Sequence, residues 1–275
     1  TNGQSALSLV TPQPSSRSSL LPRFDRPVSL VNRVPLQTIV GRPPVNSELK
    51  NSMFEYYEQR AGEYDELYTL GTAPKATTDP AVYRAEVKIL SELVASQLSG
   101  ALLDAPCGAG YWSQFYGENC SSVTMVDQSR SMLEESREKV RLAGVQPRTR
   151  LIQANVLEFE PPSRAFDSAL VGYFVGHLTD AEMESYFTAL RRAMRPGGKV
   201  LILESIWSDA RQHRPKQGTQ QRSLKDGRVF DIYKRYFLPE DFHAMRGRYG
   251  LNLEVQHAGQ VYIAASGQFD PEVQR

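Results

Sequence analysis

The sequence is poor in cysteine, has no long apolar run and carries almost no net charge. Its two cysteines, Cys107 and Cys120, are too few for a disulfide framework and lack the spacing of a metal site. No apolar run approaches the roughly 20 residues that a membrane-spanning helix needs. Lys and Arg number 32 against 31 Asp and Glu, so no overall field favours a nucleic acid or a membrane as partner. We therefore expect a soluble, cytoplasmic protein with neither partner.

The first 46 residues differ in composition from the rest of the chain. They are rich in Ser, Pro and Arg and contain a single acidic residue, Asp25. Such a stretch buries little apolar surface, so we expect residues 1–46 to be a disordered or linker-like arm before a domain over residues 47–275. The same composition is typical of organelle transit segments, which leaves a targeting remnant as the alternative.

Helical stretches alternate with short apolar runs over most of the chain. Helices are predicted over residues 47–61 and 79–98, and capping-box patterns begin two later helices at Ser131 with Glu134 and at Thr179 with Glu182. The apolar runs that indicate buried strands are residues 101–104, 123–127, 150–154, 168–171 and 199–204.

This alternation predicts a doubly wound α/β domain, in which right-handed crossovers place helices on both faces of a parallel sheet. The final strands, residues 251–256 and 260–265, are too close in sequence for a parallel connection, so they must pair antiparallel. We therefore expect a Rossmann-like, mostly parallel sheet of seven strands with an antiparallel last strand.

Residues 207–238 interrupt the alternation and are predicted to cover the substrate. Asp226 and Gly227 indicate a hairpin turn. Against three aspartates, the basic residues of this insert are Arg211, Arg214, Lys216, Arg222, Lys225, Arg228, Lys234 and Arg235. Their charge favours an acceptor molecule with a carboxylate or phosphate, and a solvated basic loop is the alternative.

Two predicted strand ends carry the residues that matter most for ligand binding. The first strand ends at Asp104, and Gly108 and Gly110 follow in a turn that lets the backbone approach a ligand. The second strand ends at Asp127, where a carboxylate can accept hydrogen bonds from both hydroxyls of a ribose. Because ligands of open α/β sheets bind at the carboxyl ends of strands, these residues predict a nucleoside site.

The type of nucleoside is indicated by two departures from the dinucleotide fingerprint. That fingerprint requires a third glycine, and Ser113 stands at its position. A pyrophosphate also prefers a helix N-terminus without a negative neighbour, whereas Asp104 directly precedes the turn. An acid there suits the ammonium of an amino acid better than a pyrophosphate.

The chain resembles the class I methyltransferases that depend on S-adenosylmethionine (SAM). Residues 102–110, LLDAPCGAG, are similar to their glycine loop, with Pro106 where the first glycine usually stands. Residues 123–129 resemble the ribose strand, residues 166–174 and 190–202 the fourth and fifth strand blocks, and residues 56–65, YYEQRAGEYD, the lid helix of small-molecule members. Asn155 stands where the family usually has an acid beside the adenine.

The resemblance implies SAM as the cofactor and assigns a set of residues to its site. These are Tyr57, Arg60, Tyr64, Asp104, Ala105, Gly108, Gly110, Trp112, Asp127, Gln128, Met132, Asn155, Val156, Tyr173 and Phe174. The implied reaction is an in-line methyl transfer to a small-molecule acceptor, in which the protein aligns the reactants and excludes water, and no metal is required. Aromatic side chains such as Tyr57 and Phe174 could steady the sulfonium.

His177 is the candidate catalytic residue. It follows the fourth strand, and an imidazole with a pKa near 6.5 suits a general base there. Its surroundings, GHLTD, also resemble protein N-terminal methyltransferases, although Ser205 replaces an asparagine of theirs. A substrate-positioning histidine and a simple helix lead-in are the alternatives to the base.

Three other functions remain open at this point. A protein or peptide N-terminal methyltransferase is the first, and an NAD(P)-dependent oxidoreductase, disfavoured by Ser113, is the second. A SAM-binding subunit without activity of its own is the third.

Overall fold

The computed structural model describes residues 37–38, 48–69, 79–116 and 118–271. Its strands are, in chain order, β1 (Gln37–Thr38), β2 (Ala101–Asp104), β3 (Ser122–Asp127), β4 (Thr149–Gln153), β5 (Phe166–Gly172), β6 (Met194–Ser205), β7 (Gln217–Ser223), β8 (Val229–Arg235), β9 (Leu251–Ala258) and β10 (Tyr262–Phe269). Its α-helices are α1 (Glu48–Arg60), α2 (Glu66–Thr69), α3 (Pro80–Gln97), α4 (Arg130–Leu142), α5 (Asp180–Ala193) and α6 (Pro239–Tyr249).

The main sheet has the strand order β1-β4-β3-β2-β5-β6-β10-β9. Neighbours from β1 to β6 are parallel, whereas β10 runs antiparallel to both β6 and β9. The predicted fold class is confirmed, because β2 to β6 with β9 and β10 make up the seven-stranded sheet. Strand order reverses at β2, which has β3 on one side and β5 on the other. Ligands of this architecture bind at that reversal.

The two-residue strand β1 belongs to the predicted arm. Gln37 and Thr38 pair with Ile152 and Gln153 of β4 at the sheet edge. The rest of residues 1–46 lies outside the described residues, so the boundary between arm and domain stays a prediction.

Two apolar clusters fix the central strands from both faces. Leu102 and Leu170 belong to the cluster that includes the apolar side of α3, and Leu103 and Val171 belong to the cluster that includes α5. Neighbouring residues of one strand therefore alternate between the clusters, as the pleat requires. Each such buried side chain contributes roughly 1.5–3 kcal/mol to the free energy of folding. The strand ends that carry the polar residues are thus held on a rigid platform.

The two predicted capping boxes have different outcomes. Thr179 and Glu182 form the box that begins α5, as expected. The box predicted at Ser131 and Glu134 is wrong, because α4 is capped two residues earlier by Ser129, whose side chain accepts from the backbone N–H of Met132 at 3.0 Å. Ser131 instead donates its hydroxyl to Glu58 of α1 at 2.6 Å.

The insert forms the predicted hairpin, which is separate from the main sheet. β7 and β8 pair antiparallel, and the Leu224 N–H closes the turn by donating to the Arg228 carbonyl at 3.0 Å. Leu224 and Ile232 of this hairpin pack with Tyr56 of α1. Within the part of the chain that the structure describes, no helix is both long and apolar enough to cross a membrane.

Candidate active site

The turn after β2 is shaped by two glycines. Gly108 and Gly110 have φ angles of +53° and +74°, in the left-handed region that favours glycine. A Cβ atom on Gly110 would also lie 2.9 Å from the Cα atom of Ser136, so a side chain there would displace α4. The turn therefore brings the backbone N–H of Gly108 up to Asp127, where it donates to Oδ2 at 2.9 Å.

Asp104 ends β2 as a buried carboxyl group. Only 2% of its surface is exposed, and the Tyr116 hydroxyl donates a hydrogen bond to its Oδ2. Burial raises the pKa of Asp104 to about 8, and the nearby charge of Asp127 adds to the increase, although the bond from Tyr116 opposes it. A cationic ligand group would favour the ionised carboxylate and lower this pKa again.

Asp127 ends β3 on the neighbouring strand. Its Oδ1 accepts from the Ser129 N–H at 2.9 Å and its Oδ2 from Gly108. Burial raises the pKa of Asp127 to about 6, although these two backbone bonds lower it. Since each carboxylate oxygen can accept a second bond, both remain able to accept hydrogen bonds from a pair of ligand hydroxyls.

A cavity of about 490 Å³ opens beside these strand ends. The residues assigned to the cofactor that line it are Tyr57, Tyr64, Asp104, Gly108, Trp112, Asp127, Gln128, Met132, Asn155, Val156, Tyr173 and Phe174. Ala105 and Gly110 shape the turn without lining the cavity, and Arg60 lines a second cavity described below. We call the 490 Å³ space the first cavity.

Asn155 uses part of its amide within its own loop. Its Oδ1 accepts from the Leu157 N–H at 3.1 Å, and its Nδ2 donates to Glu158 at 3.2 Å. One N–H and one lone pair remain for a ligand. The assignment of Asn155 to an adenine stays a prediction, and two of the hydrogen bonds that its amide can form are already made within the loop.

Helix α1 forms one wall of the first cavity. Two polar contacts hold it there: Glu58 accepts from Ser131 at the start of α4, and Lys50 forms an ion pair with Glu182 of α5 at 2.8 Å. Glu58 was missed in the sequence, although it lies within the stretch that resembles a lid helix. These contacts hold α1 against α4 and α5 at the edge of the first cavity.

Tyr173 is the most constrained residue of the site. Its backbone φ is +55°, which a residue with a side chain rarely adopts and which costs of order 1–3 kcal/mol. Its ring stacks on Trp112 with centroids 6.4 Å apart. Its buried hydroxyl has no hydrogen-bond partner among the described residues. Strain of this kind, together with an unpartnered hydroxyl, is typical of ligand-binding positions.

His177 is buried and neutral. Its Nδ1 lies 2.7 Å from the Tyr233 carbonyl, which can only accept, so Nδ1 carries the proton. Its Nε2, 2.9 Å from the Tyr57 hydroxyl, therefore accepts from that phenol. The expected pKa near 6.5 is wrong here: burial, the charge of Lys234 and, more weakly, Arg222 and Lys50 lower the pKa of His177 well below it, although the bond to Tyr233 raises it.

Glu204 at the end of β6 is satisfied within the protein. Its Oε1 accepts from the Gly176 N–H at 2.8 Å, and its Oε2 forms an ion pair with Lys234 at 3.0 Å. Both partners are buried, since the Glu204 side chain is 0% and the Lys234 side chain 7% exposed. This pair positions the loop that carries His177 rather than a ligand.

A second cavity of about 280 Å³ adjoins the first. Tyr57, Tyr64, Tyr173 and His177 line both cavities. The charged side chains that line the second cavity are all basic: Arg60, Arg211, Arg214, Arg222 and Lys234. The second cavity is therefore a polar, cationic space beside the first cavity. We call the four side chains that line both cavities the shared wall.

The insert divides its basic residues into two groups. Lys216, Lys225, Arg228 and Arg235 form ion pairs with carboxylates outside the second cavity. Arg211, Arg214, Arg222 and Lys234 line the cavity. The sequence identified the basic insert but could not separate the two groups, because the carboxylate partners come from α2, α5, α6 and the turn of the hairpin.

Comparisons with known proteins agree with this architecture. Residues 102–198 match the family model described as a methyltransferase domain. Over 143 residues the chain is 29% identical to the ubiquinone/menaquinone biosynthesis C-methyltransferase UbiE of Shewanella piezotolerans, covering 50% of this chain and 51% of that protein. The chain thus spans about half the length of the curated relatives it matches.

Solved structures are similar over a larger part of the chain. A DhpI–SAH complex aligns with a TM-score of 0.64 at 24% identity, covering 82% of this chain and all 100% of that one. The Burkholderia thailandensis 1,6-didemethyltoxoflavin-N1-methyltransferase aligns with a TM-score of 0.53 at 17% identity, covering 84% and 94%. At these identities the structures establish the fold. The match of residues 102–198 to the methyltransferase domain agrees with the resemblance found in the sequence.

Proposed function

We propose that this protein, whose residues 102–198 match a methyltransferase domain, transfers the methyl group of SAM to a small-molecule acceptor. The observation that carries this proposal is the pair of adjoining cavities. The first has two strand-end carboxylates beside a glycine turn, and the second has a cationic lining. Because four residues line both cavities, a cofactor in one would lie beside an acceptor in the other.

The first cavity fits SAM in its donors, acceptors and charge. Asp104 is a buried carboxyl group that forms no ion pair within the described part of the chain, and an amino-acid ammonium would supply a cation. The Asp127 oxygens can each accept one more hydrogen bond, as ribose hydroxyls require. Met132 and Val156 offer apolar contacts for a base, beside the remaining N–H of Asn155. When bound, SAM supplies a methyl group activated on a sulfonium.

The residues of the shared wall have the work of alignment and water exclusion. Tyr57, Tyr64 and Tyr173 are aromatic faces suited to a cationic sulfur. The Tyr57 hydroxyl and His177 Nε2 form a hydrogen-bonded pair that can receive a proton from the acceptor. Most of the rate increase in such a transfer comes from aligning the nucleophile, the methyl group and the sulfur, and from excluding water.

The acceptor in this proposal carries an acidic group. Support comes from the second cavity, whose lining among the described residues includes five basic side chains and no carboxylate. Lys234 is paired with Glu204, but a neutral acceptor would leave the four arginines without a counterpart, whereas an anionic one would be attracted to them and oriented.

Titration calorimetry with SAM and with NADH tests the cofactor assignment. The account predicts saturable binding of SAM and no binding of NADH. Binding of NADH without binding of SAM would contradict the account and favour an oxidoreductase.

A further inference from the structure

We propose that the second cavity is a subsite for an oxyanion, the carboxylate or phosphoryl group of the methyl acceptor, and that Arg214 and Arg222 bind it. This inference rests on the proposed function for the identity of the molecule that carries the anion. The binding chemistry itself follows from the charges around the cavity.

Four arginines around this cavity lack an acidic partner. Within the described residues, none of Arg60, Arg211, Arg214 and Arg222 lies within ion-pair distance of a carboxylate. Every other basic residue of the insert forms such a pair. Unpaired guanidinium ions repel one another, so binding of an anion in the cavity lowers the free energy.

Two of the four arginines are committed to the fold. Arg211 donates through Nη1 to the carbonyls of Ile206 and Val261 at 2.8 and 2.6 Å. Arg60 donates to the Tyr56 hydroxyl at 2.6 Å and lies against the rings of Tyr56 and Tyr64. They contribute charge to the cavity rather than free donors.

The other two arginines retain donors for a ligand. Arg222 contacts the carbonyl of Gln221 and the side chains of Gln220 and Tyr236, all neutral. Arg214 donates through Nε to His213 and also bonds the side chain of Tyr236, and both of these partners are neutral. A guanidinium group matches the oxygens of a carboxylate or a phosphoryl group with two parallel hydrogen bonds.

Tyr236 lines the same cavity and lies in the field of its basic residues. Burial raises its pKa, yet the charges of Arg222, Lys234 and Arg211 outweigh that effect and lower the pKa below its usual value. A buried phenol that is easier to ionise than a free one indicates that the cavity favours negative charge. The unpartnered Tyr173 hydroxyl on the shared wall adds a neutral donor for the same anion.

Sulfate is a suitable probe, since its charge is constant at neutral pH. The full chain is titrated with sulfate and, in a separate experiment, with acetate as the carboxylate probe. Binding is followed by the NMR signals of the histidines. The chain has four histidines, and His177 and His213 line the cavity. Arg222→Gln should weaken binding of the preferred anion by about tenfold or more. The matched control is Arg228→Gln, because Arg228 lies in the turn of the same hairpin and is paired with Asp226. This variant should change the affinity for the anion less than twofold.

Several outcomes decide the inference. Stronger binding of sulfate or of acetate assigns the subsite to a phosphoryl-like or a carboxylate group, and either supports it. Absence of saturable binding of both anions, or equal weakening by the two variants, overturns it. SAM affinity is measured on the same samples. Absence of SAM binding by the wild-type protein would contradict the proposed function, but it would leave the result on anion binding unaffected. A thermal melt of each variant verifies that it is folded.

Discussion

At the scale of single residues, Asp104 links cofactor binding to pH. Its pKa is raised to about 8 in the ligand-free protein, so it is mostly protonated at pH 6.5. An ammonium ligand stabilises the ionised form, and binding must then release a proton. We predict that SAM affinity rises between pH 6 and pH 8 and that calorimetry at pH 6.5 in two buffers of different ionisation enthalpy detects the release.

Asp104→Asn serves as the control for this linkage. It should bind SAM more weakly, without proton release from this position. An affinity in wild type that is independent of pH from 6 to 8, with no proton released, would contradict the role of Asp104 as the ammonium acceptor.

The same shift has a consequence for stability. A carboxyl group with a higher pKa in the folded than in the unfolded chain stabilises the fold when protonated, so stability is lost as pH rises between the two pKa values. For Asp104 this window runs from about 4, the ordinary pKa of an aspartate, to about 8. We predict that the melting temperature of the ligand-free protein falls over this range and that Asp104→Asn reduces the slope. A melting temperature that rises steadily from pH 5 to pH 8 would be evidence against the buried carboxyl.

His177 and Tyr57 form the pair on which a base mechanism depends. If they accept the acceptor's proton, His177→Ala should lower kcat by about 10²–10⁴ with little change in cofactor affinity. Tyr57→Phe should also lower kcat. Because the pKa of His177 is lowered, the wild-type rate should decline only below pH 6.5, and this inflection should vanish in His177→Ala. A higher KM with unchanged kcat would indicate positioning, and wild-type values of both would refute either role.

Residues at strand ends were predictable, whereas their partners were not. Asp104, Gly108 and Asp127 follow directly from the rule that ligands bind where parallel strands end. The hydroxyl of Tyr116 on Asp104 and the carbonyl of Tyr233 on His177 are tertiary contacts that no local sequence pattern marks. Burial and tautomer depend on such contacts, so a typical pKa was assumed for His177 and proved wrong.

At the scale of elements, α1 is the part whose packing should control access to the first cavity. Glu58 ties it to Ser131 at the start of α4. Glu58→Ala should loosen α1 without disturbing the sheet, since the helix packs on the outside of the strand ends. We predict faster hydrogen exchange over residues 48–60 and faster SAM dissociation in this variant.

The neighbouring residue Glu55 offers a matched control. It lies on the same helix and is exposed, so Glu55→Ala should leave both exchange and dissociation near wild type. Unchanged SAM dissociation in Glu58→Ala, despite faster exchange, would mean that α1 does not limit release of the cofactor.

The elements themselves were mostly predictable from periodicity and turn residues. Strand β2 has the predicted bounds, and the hairpin turn is where Asp226 indicated. The error at Ser131 has a physical reason. Ser129 and Ser131 are both good caps, and the tertiary bond from Ser131 to Glu58 decides which of them caps the helix.

At the scale of the whole molecule, the arm should be dispensable for the domain. Strand β1 contributes two residues at the edge of the sheet, which is a small part of the core. Deleting residues 1–45 should therefore leave the melting temperature and SAM affinity within error. A decrease of several degrees would show that the arm packs on the domain and that the predicted boundary is misplaced.

Charge is distributed unevenly although the total is nearly neutral. The formal net charge is +1, yet the described residues that line the second cavity include five basic side chains and no acidic one. Composition alone therefore excluded a global field correctly but could not reveal a local one. The fold gathers unpaired arginines from α1 and the insert, and it pairs the remaining insert cations with carboxylates.

Methyl transfer from labelled SAM tests the central claim most directly. The protein is incubated with methyl-labelled SAM and a cell extract. The products are separated into small molecules and protein, and the small molecules are then separated by anion exchange. The account predicts label in an anionic small molecule, and strong loss of that label with Asp127→Ala at limiting SAM, because a charged hydrogen-bond acceptor contributes about 1.5–3 kcal/mol per bond. Label confined to protein, or equal labelling by wild type and a folded Asp127→Ala variant, would contradict it.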